Sequence, residues 1–582
     1  MQDLQKALDG CNMKRLTLSF FILFACIWMS AQNSSLHTHG NAVQLMVDGR
    51  PFLVLGGELG NSSAACPEDI EMNFEKLNRM GLNTVLVPAY WDLLEPVEGE
   101  FDFALTDKVL EEARRNDLKV VFLWFGAWKN SMSCYAPLWF KKDYKKYPRA
   151  YTREGKPLEI ASAFSENVFK ADSRAFTAWM NHIAEADKDH GTVIMIQIEN
   201  EIGMLEDARD HSKEADKHFK AQVPEELMAH LQSHKGSLHP YMADKWSANG
   251  MKTKGTWTEI FGDDIYTDEI FMAWHYAKYV ERMAQIARGI YDVPLYVNAA
   301  MNSRGRKPGE YPSAGPLAHL KDVWHAAAPS IDFLSPDLYD NGFKDWVAKY
   351  DLEDNPLFIP ETKHMQNNGV RAFYVFGEHD AMGISPFAIE DGSAEQGTPF
   401  VEGYEKLREM MPLITAWQGK DAMWGLLFDQ EDKERIIVDG ALTLTCRHNF
   451  TLPWDPRATD GSVWPEGGGI IIRLAEDEYV VAGNGIVVEF AMTSEKAHAE
   501  AVKALGEDGF AAAGTSAPAS ESLKKWKGPR CGLGSVDEVN VLPDGSFRYA
   551  RRLNGDQDHQ GRHVRISVGD YKVLHVRLYD YQ

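Results

Sequence analysis

Short apolar runs alternate with amphipathic segments between residues 40 and 400. The runs are rich in Val, Ile, Leu and Phe, which is typical of strands buried on both faces of a parallel sheet. Their positions are 51–55, 84–88, 119–124, 192–198, 294–297, 331–334, 356–359 and 382–388. Eight alternating units predict a (β/α)8 barrel over 40–410, with a doubly wound open sheet as the main alternative.

The segments between these runs carry helical periodicity. The first begins at Pro67 and places Ile70, Phe74, Leu77 and Met80 on one face. Further helices are predicted at 104–115, 174–189, 268–288 and 316–327, and a partly helical insertion at about 205–265. After residue 415 short strands separated by turns replace this pattern, at 469–474, 478–483, 485–490, 546–549 and 573–578. We therefore expect a smaller all-β domain over 415–582, most simply a sandwich.

The charge balance narrows the classes of function. The chain has 61 Lys and Arg residues against 85 Asp and Glu, a formal net charge of −24, which disfavours nucleic acid and anionic membranes as partners.

The sequence carries no clear cofactor or metal motif. No Gly-rich phosphate loop follows a strand. His230 and His234 are four residues apart, but no third metal ligand lies nearby in the sequence. The sequence thus predicts neither a cofactor nor a metal, and it leaves the oligomeric state open.

The first residues predict export. Lys14 and Arg15 precede the apolar run 16–25, and small residues follow at Ser30 and Ala31. This is the layout of a signal peptide over 1–31, with Met13 as the start, and it indicates a periplasmic or extracellular protein. Lipid attachment at Cys26 is the less favoured alternative. No second apolar run reaches membrane-spanning length. In an oxidising compartment Cys66 and Cys134 could pair, although free thiols are favoured.

Two glutamates stand at the ends of predicted strands. Glu201 lies in the sequence Gln-Ile-Glu-Asn-Glu, which begins in the fourth run and extends beyond its end, and Glu361 follows the seventh run. The chemistry of a barrel gathers at the carboxyl ends of its strands. Two carboxyl groups that face one pocket can cleave a glycosidic bond, one as acid and the other as nucleophile. Repulsion between them raises the pKa of one member, which keeps it protonated.

These residues lie in motifs that resemble glycoside hydrolase family 35, the β-galactosidases of a large retaining (β/α)8 clan. The motifs are W-x3-EP-x2-G-x-FDF at 91–103, QIENE at 197–201, where Ile202 replaces the usual aromatic residue, and the strand-seven segment 356–361. The resemblance implies that Glu201 is the acid/base, that Glu361 is the nucleophile, and that Asn200 binds the sugar 2-hydroxyl. Glu199 is expected to be a structural carboxylate. The all-β tail resembles a secreted bacterial branch whose C-terminal domain has no assigned function.

The chain also departs from the family pattern. Lys129 and Asn130 stand where relatives place the Ala-Glu pair that grips galactose hydroxyls, and Glu58 stands where a serine is usual. We expect all three to contact the sugar. Tyr339, at the end of the sixth strand, is expected to hydrogen-bond the nucleophile, and Trp128 is expected to stack on the sugar ring.

The sequence therefore predicts a retaining exo-β-galactosidase that acts on oligosaccharides or plant polysaccharide side chains. A β-mannosidase or β-glucosidase of the same clan is the first alternative, because Lys129 and Asn130 leave the sugar open. A non-catalytic carbohydrate-binding protein is the second, and it is less favoured because both catalytic glutamates are present.

Overall fold

The computed structural model describes residues 34–301, 305–504, 525–555 and 561–582. The predicted signal peptide, and with it the alternative lipid site at Cys26, lies outside these residues. Within the described ranges, no helix is both long and apolar enough to cross a membrane.

Eight parallel strands form a closed barrel. The strands are β1 (Val54–Glu58), β2 (Thr84–Tyr90), β3 (Lys119–Phe125), β4 (Val193–Gln197), β5 (Leu295–Ala300), β6 (Phe333–Leu338), β7 (Phe358–Thr362) and β8 (Gly383–Pro386). They follow one another around the ring in chain order, and β8 pairs with β1. This closure confirms the predicted barrel and excludes the open sheet.

Several strand predictions were displaced or ended early, among them those at 51–55 and 331–334. The run at 51–55 covers parts of two elements, because Arg50–Phe52 belongs to an outer hairpin and β1 begins only at Val54. The run at 331–334 ended too early, since β6 continues through Ser335, Pro336 and Asp337 to Leu338. These residues are fully buried although their side chains are not all apolar. A search for apolar runs therefore stops before the functional end of the strand.

The helices pack their apolar faces around the barrel. The first, Pro67–Arg79, buries Ile70, Phe74 and Leu77 as predicted. Glu68 and Asp69 occupy its first turn, where acidic side chains interact favourably with the positive end of the helix dipole. The other helices that follow the barrel strands are Ala104–Arg115, Glu166–Asp187, Ile265–Ile290, Lys321–Ala327, Phe343–Tyr350, Asn368–Glu378 and Pro399–Trp417. Shorter helices are Trp91–Leu94 and Leu138–Lys142, and the predicted insertion contributes Lys213–Phe219, Glu225–Ser233, Pro240–Ala248 and Trp257–Phe261.

Two small antiparallel sheets lie outside the barrel. Ser35–His39, Ala42–Val47 and Arg50–Phe52 form one sheet before β1, and Arg149–Tyr151 pairs with Pro157–Ala161 in the other. The first sheet is tied to the last barrel helix by Gln44, whose amide donates to the Thr415 carbonyl at 2.7 Å.

The C-terminal region is a two-sheet β structure. The larger sheet contains, in spatial order, Met423–Phe428, Gly467–Ala475, Glu478–Asn484, Lys572–Tyr581, Arg530–Val541 and Phe547–Arg552. The smaller sheet contains Glu434–Asp439, Leu442–His448, Ile486–Met492 and Val564–Ile566, and the helix Thr493–Ala504 follows its third strand. Leu426, Leu444, Val481 and Leu574 belong to a separate apolar core in this region, as expected of a sandwich.

The helix Asn368–Glu378 joins the two regions. Gly377 on this helix faces Gly425 on the first strand of the larger sheet, and a Cβ at Gly377 would lie 3.1 Å from the Gly425 Cα. The absence of side chains there lets the helix approach the sheet closely. Arg371 on the same helix donates to both Glu466 carboxylate oxygens, at 2.9 and 2.7 Å. The helix therefore packs against the β region through backbone contact and a bidentate ion pair.

Candidate active site

The segment after β4 turns sharply. Glu199 and Glu201 have positive φ angles of 58° and 46°, a left-handed conformation that is costly for residues other than glycine and that clusters at functional sites. The Glu201 backbone N–H donates to the Asn298 side-chain oxygen at 2.9 Å. This turn directs the side chains of Glu199 and Glu201 to different surroundings.

The loop after β3 holds Glu201 in place. Asn130 and Ser131 also have left-handed backbones, with φ angles of 50° and 57°. The Ser131 N–H donates to the Glu201 carbonyl oxygen at 3.1 Å, and the Asn130 amide donates to Glu201 Oε2. Asn130 therefore contacts the predicted acid/base itself, and its amide is already engaged, which differs from the expected contact with the sugar.

Glu201 and Glu361 meet above the barrel core. One carboxylate oxygen each from Glu201, Glu361 and Asp337 all lie within 4.8 Å of one another. Retaining glycosidases hold their two carboxyl groups about 5–5.5 Å apart, and inverting enzymes about 6.5–9.5 Å. The structure thus brings the nearest oxygens of the two predicted residues within 4.8 Å of each other, a close approach that suits the shorter separation. Tyr339 donates its hydroxyl hydrogen bond to Glu361 Oε1, as expected.

Asn200, the residue before Glu201, carries buried polar atoms without partners. Its side chain is fully buried, and neither amide atom has a hydrogen-bond partner among the described residues. A buried amide without partners is costly, so the arrangement suits a ligand that supplies both a donor and an acceptor. A sugar hydroxyl does this, in agreement with the role expected for Asn200.

Glu58 and Lys129 lie beside the nucleophile candidate. Both are almost fully buried, at 1% and 2% exposure. Burial and the Glu361 charge raise the pKa of Glu58 well above its ordinary value, and the Lys129 ammonium partly opposes this. In the part of the chain that the structure describes, the Lys129 ammonium group makes no ion pair and no hydrogen bond, and it lies 4.9 Å from the Phe125 ring centroid.

Burial and mutual repulsion shift pKa values in the cluster. Burial, followed by the Glu201 charge, raises the pKa of Glu361 to about 7, and Lys129 and the Tyr339 hydrogen bond oppose the rise. The upward shift is therefore found on the predicted nucleophile and on its neighbours Glu58 and Asp337. The physical reason is that four carboxyl groups share one buried site with Lys129, namely those of Glu58, Glu201, Asp337 and Glu361. They repel one another, so they cannot all be charged at once.

Trp128 does not present a stacking face. Its indole is completely buried and packs edge-to-face against Tyr276 and Tyr279, at centroid distances of 5.5 and 4.8 Å. Its backbone N–H donates to Glu199 Oε2 at 2.8 Å. The expectation of a sugar platform is therefore wrong for this side chain, because the turn after β3 directs it into the core.

Glu199 belongs to a separate buried cluster. Burial and the neighbouring Asp172 carboxyl raise its pKa well above the ordinary value. Asp172 in turn accepts hydrogen bonds from Trp124 at 2.9 Å and from Tyr279 at 2.7 Å. Glu199 is thus directed toward structural partners, as expected.

Sequence reasoning missed two polar residues at the site. Asp337 is buried in β6 beside Glu361 of β7, and Asn298 of β5 donates to it at 2.7 Å. The available signal was the same one that identified the glutamates, namely a polar residue at the carboxyl end of a barrel strand.

The only metal-type cluster found in the described ranges consists of Glu201, Asp337 and Glu361. These carboxyl groups could hold a cation, but two of them are the residues predicted to do the acid/base and nucleophilic chemistry. The cysteines Cys66 and Cys134 are both free.

Two family models match the chain. A β-galactosidase model, that of glycoside hydrolase family 42, matches residues 63–260, and a domain of unknown function, DUF5597, matches residues 400–565. The expected membership of family 35 is not confirmed, because family 42 is the one whose model matches. The match supports a glycoside hydrolase.

Known proteins resemble parts of the chain. A β-galactosidase of Xanthomonas manihotis is 27% identical over 219 residues, which cover 35% of this chain and 33% of that protein. The β-galactosidase structure from Bacillus circulans sp. alkalophilus has a TM-score of 0.43 and 16% identity, covering 64% of this chain and 57% of its own. A β-mannanase structure from the blue mussel Mytilus edulis has a TM-score of 0.37 and 14% identity, covering 65% and 97%. The chain thus spans a third of the curated relative's length.

Proposed function

We propose that this protein is a retaining β-glycosidase, with Glu361 as nucleophile and Glu201 as acid/base. The observation that carries the proposal is the close approach of these two buried carboxyl groups at the carboxyl ends of β4 and β7. At that separation no room remains for a water molecule between the carboxylate and the anomeric carbon. Glu361 therefore attacks, and Glu201 first protonates the leaving oxygen and then activates water.

The preferred substrate in this proposal is a terminal β-galactosyl residue of an oligosaccharide or plant polysaccharide side chain. The β-galactosidase model that matches residues 63–260 supports this sugar. Asn200 would bind the 2-hydroxyl. The Lys129 ammonium and Glu58 would bind other hydroxyls, and Tyr339 would hold Glu361.

A different sugar, such as a β-mannoside or β-glucoside, is the second candidate. The observation that favours it is that the Asn130 amide is engaged with Glu201. Of the two residues at the position where family 35 relatives bind galactose hydroxyls, only Lys129 then remains to contact the sugar. Hydrolysis of a panel of nitrophenyl β-glycosides by the purified protein separates these sugars. Absence of hydrolysis of every member would favour a carbohydrate-binding protein instead.

Azide rescue tests the roles of the two glutamates. Glu361→Gly should lose nearly all turnover, and azide should then give the α-glycosyl azide by one displacement. Glu201→Gly should still form the glycosyl-enzyme from substrates with good leaving groups, and azide should give the β-azide. A first product of inverted configuration from the unaltered protein would contradict the assignment.

We also propose that the protein is exported, on the sequence pattern of residues 14–31 alone. Mass spectrometry of natively expressed protein should give an N-terminus near Gln32. A lipid mass on Cys26 would favour the lipoprotein alternative, and an unprocessed cytosolic chain would contradict export.

A further inference from the structure

A cavity of about 280 Å³ lies beside the loop that follows β5. Its walls come from that loop, from the N-terminal ends of the helices Pro240–Ala248 and Ile265–Ile290, and from the helix Phe343–Tyr350 after β6. The volume is close to the lower end of the range for small-molecule sites. The cavity shares no lining residue with the carboxyl cluster described above.

Two buried polar atoms at this cavity lack partners. Trp346 is 7% exposed, and its indole Nε1 has no hydrogen-bond acceptor among the described residues. The Tyr241 hydroxyl oxygen is buried and is also without a partner there. Tyr266, whose ring centroid lies 6.4 Å from that of Tyr241, is 37% exposed and adds an aromatic face. Because unpaired buried polar atoms are costly, both atoms suit a ligand that bonds them.

The charges at the cavity favour an anion. Arg306 and Lys349 line it, and neither forms an ion pair within the described ranges, whereas no Asp or Glu is among the described lining residues. This is unusual in a chain whose net charge is −24. The Lys349 ammonium lies 3.7 Å from the Trp346 ring centroid, and this cation–π contact holds its charge at the cavity.

Two acids that bond lining residues are themselves paired. Glu269 accepts from the Tyr311 hydroxyl at 2.8 Å, and its other oxygen lies 3.1 Å from His319 Nε2. Asp264 accepts from the Lys245 ammonium at 2.8 and 2.7 Å. The charges of Arg306 and Lys349 are therefore left for a ligand.

The balance of donors and acceptors narrows the ligand further. Guanidinium, ammonium and indole N–H groups only donate, and a tyrosine hydroxyl can do either. A carboxylate only accepts, and its two oxygens match the planar guanidinium fork. Sugar hydroxyls match the Trp346 N–H and the Tyr241 O–H. A uronic acid, which is a sugar with a carboxylate, combines both features.

The cavity is joined to the acid/base side of the proposed active site. Met301 lines it and is three residues after Asn298, which accepts from the Glu201 backbone N–H; three extended residues span about 10 Å. Ser313, in the same loop, exchanges two backbone hydrogen bonds of 2.8 Å with Met204, three residues after Glu201. The acid/base protonates the leaving oxygen, so the leaving group departs on this side.

We propose that this cavity binds a uronic acid residue in the leaving group of the substrate, with Arg306 and Lys349 on its carboxylate and Trp346 and Tyr241 on its hydroxyls. The proposal rests on the proposed glycosidase function and names the class of leaving group that the enzyme prefers.

Calorimetric titration of the full chain tests the binding site without catalysis. Methyl glucuronide should bind at least tenfold more tightly than methyl glucoside, since it adds charge-assisted hydrogen bonds. Lys349→Met and Arg306→Met should each weaken glucuronide binding about tenfold and change glucoside binding little. Tyr241→Phe, which keeps the ring, should weaken binding of both sugars. Lys235→Met is the matched control, because Lys235 is an exposed lysine of the same insertion that does not line the cavity.

Disaccharide kinetics test whether the site serves the leaving group. The ratio of kcat/KM for a β-galactosyl glucuronate to that for the corresponding β-galactosyl glucose should exceed one. Lys349→Met should lower this ratio about tenfold, and Lys235→Met should leave it unchanged. An equal loss with both disaccharides, which is the result of a merely structural role, would overturn the proposal.

The failure of this proposal is distinguishable from the failure of the proposed function. Equal affinity for the two methyl glycosides, or glucuronide binding that survives both Lys349→Met and Arg306→Met, would overturn the uronic acid site even if the protein hydrolyses glycosides. Tight, lysine-dependent glucuronide binding by a protein that hydrolyses no glycoside would leave the site standing and contradict the proposed function.

Discussion

Replacing the nucleophile candidate should stabilise the protein at alkaline pH. Glu361 is buried, and its burial and the Glu201 charge raise its pKa from 4.5 to about 7. Its charged form is therefore disfavoured in the folded state relative to the unfolded chain. Glu361→Gln removes this cost and keeps the shape of the side chain. The Gln oxygen can still accept from Tyr339.

The size of the effect follows from linkage. The folded and unfolded pKa values differ by about 2.5 pH units, and each unit corresponds to about 1.36 kcal/mol. The cost is absent below pH 4.5, develops between pH 4.5 and 7, and is complete above pH 7. Because Glu361 titrates together with its neighbours, we expect a gain of about 2–3 kcal/mol at pH 8 and almost none at pH 4.

Urea denaturation at several pH values measures this gain. The free energy of unfolding of Glu361→Gln minus that of the unaltered protein should increase from pH 4 to pH 8. Glu353→Gln is the control, since Glu353 is an exposed carboxylate, and its effect should stay within about 0.5 kcal/mol. A pH-independent difference for Glu361→Gln, or a loss of stability at pH 8, would show that Glu361 ionises without cost and would refute the reasoning.

Three other predictions concern activity and the contact between the barrel and the β region. The acid limb of kcat/KM should lie near pH 7, because Glu361 must be ionised to attack, and Tyr339→Phe should move it up by about one unit because a hydrogen bond to the carboxylate is lost. An unmoved limb in a pH–rate profile would contradict this. Lys129→Met should lower kcat/KM at pH 7 at least tenfold, about 1.4 kcal/mol, since a cation beside Glu58 and Glu361 is lost; unchanged kinetics would remove Lys129 from the pocket. Arg371→Ala should cost about 3 kcal/mol in urea denaturation, because it leaves the half-buried Glu466 carboxylate without its bidentate partner, and a cost below 1 kcal/mol would contradict a structural role.

The helices and strands of the barrel could be predicted from local pattern. Ile70, Phe74 and Leu77 are apolar at helical spacing and are buried, and the apolar run at 119–124 coincides with β3. The catalytic candidates could be predicted for the same reason, since Glu201 and Glu361 are charged residues directly after or within such runs. Periodicity reports only which face of one element is buried, and that information is present in the sequence.

Only the tertiary structure decided which side chains meet. Trp128 and Asn130 are close in sequence, yet the left-handed turn at Asn130 places Trp128 in the core and Asn130 on Glu201. The approach of Asp337 to Glu201 and Glu361 depends on closure of the barrel, which brings together residues far apart along the chain. The proton distribution among them depends on burial and on distances between strands, quantities that no local pattern encodes. The sequence by itself therefore determined the elements and the two glutamates, and the closed barrel determined their electrostatic partners.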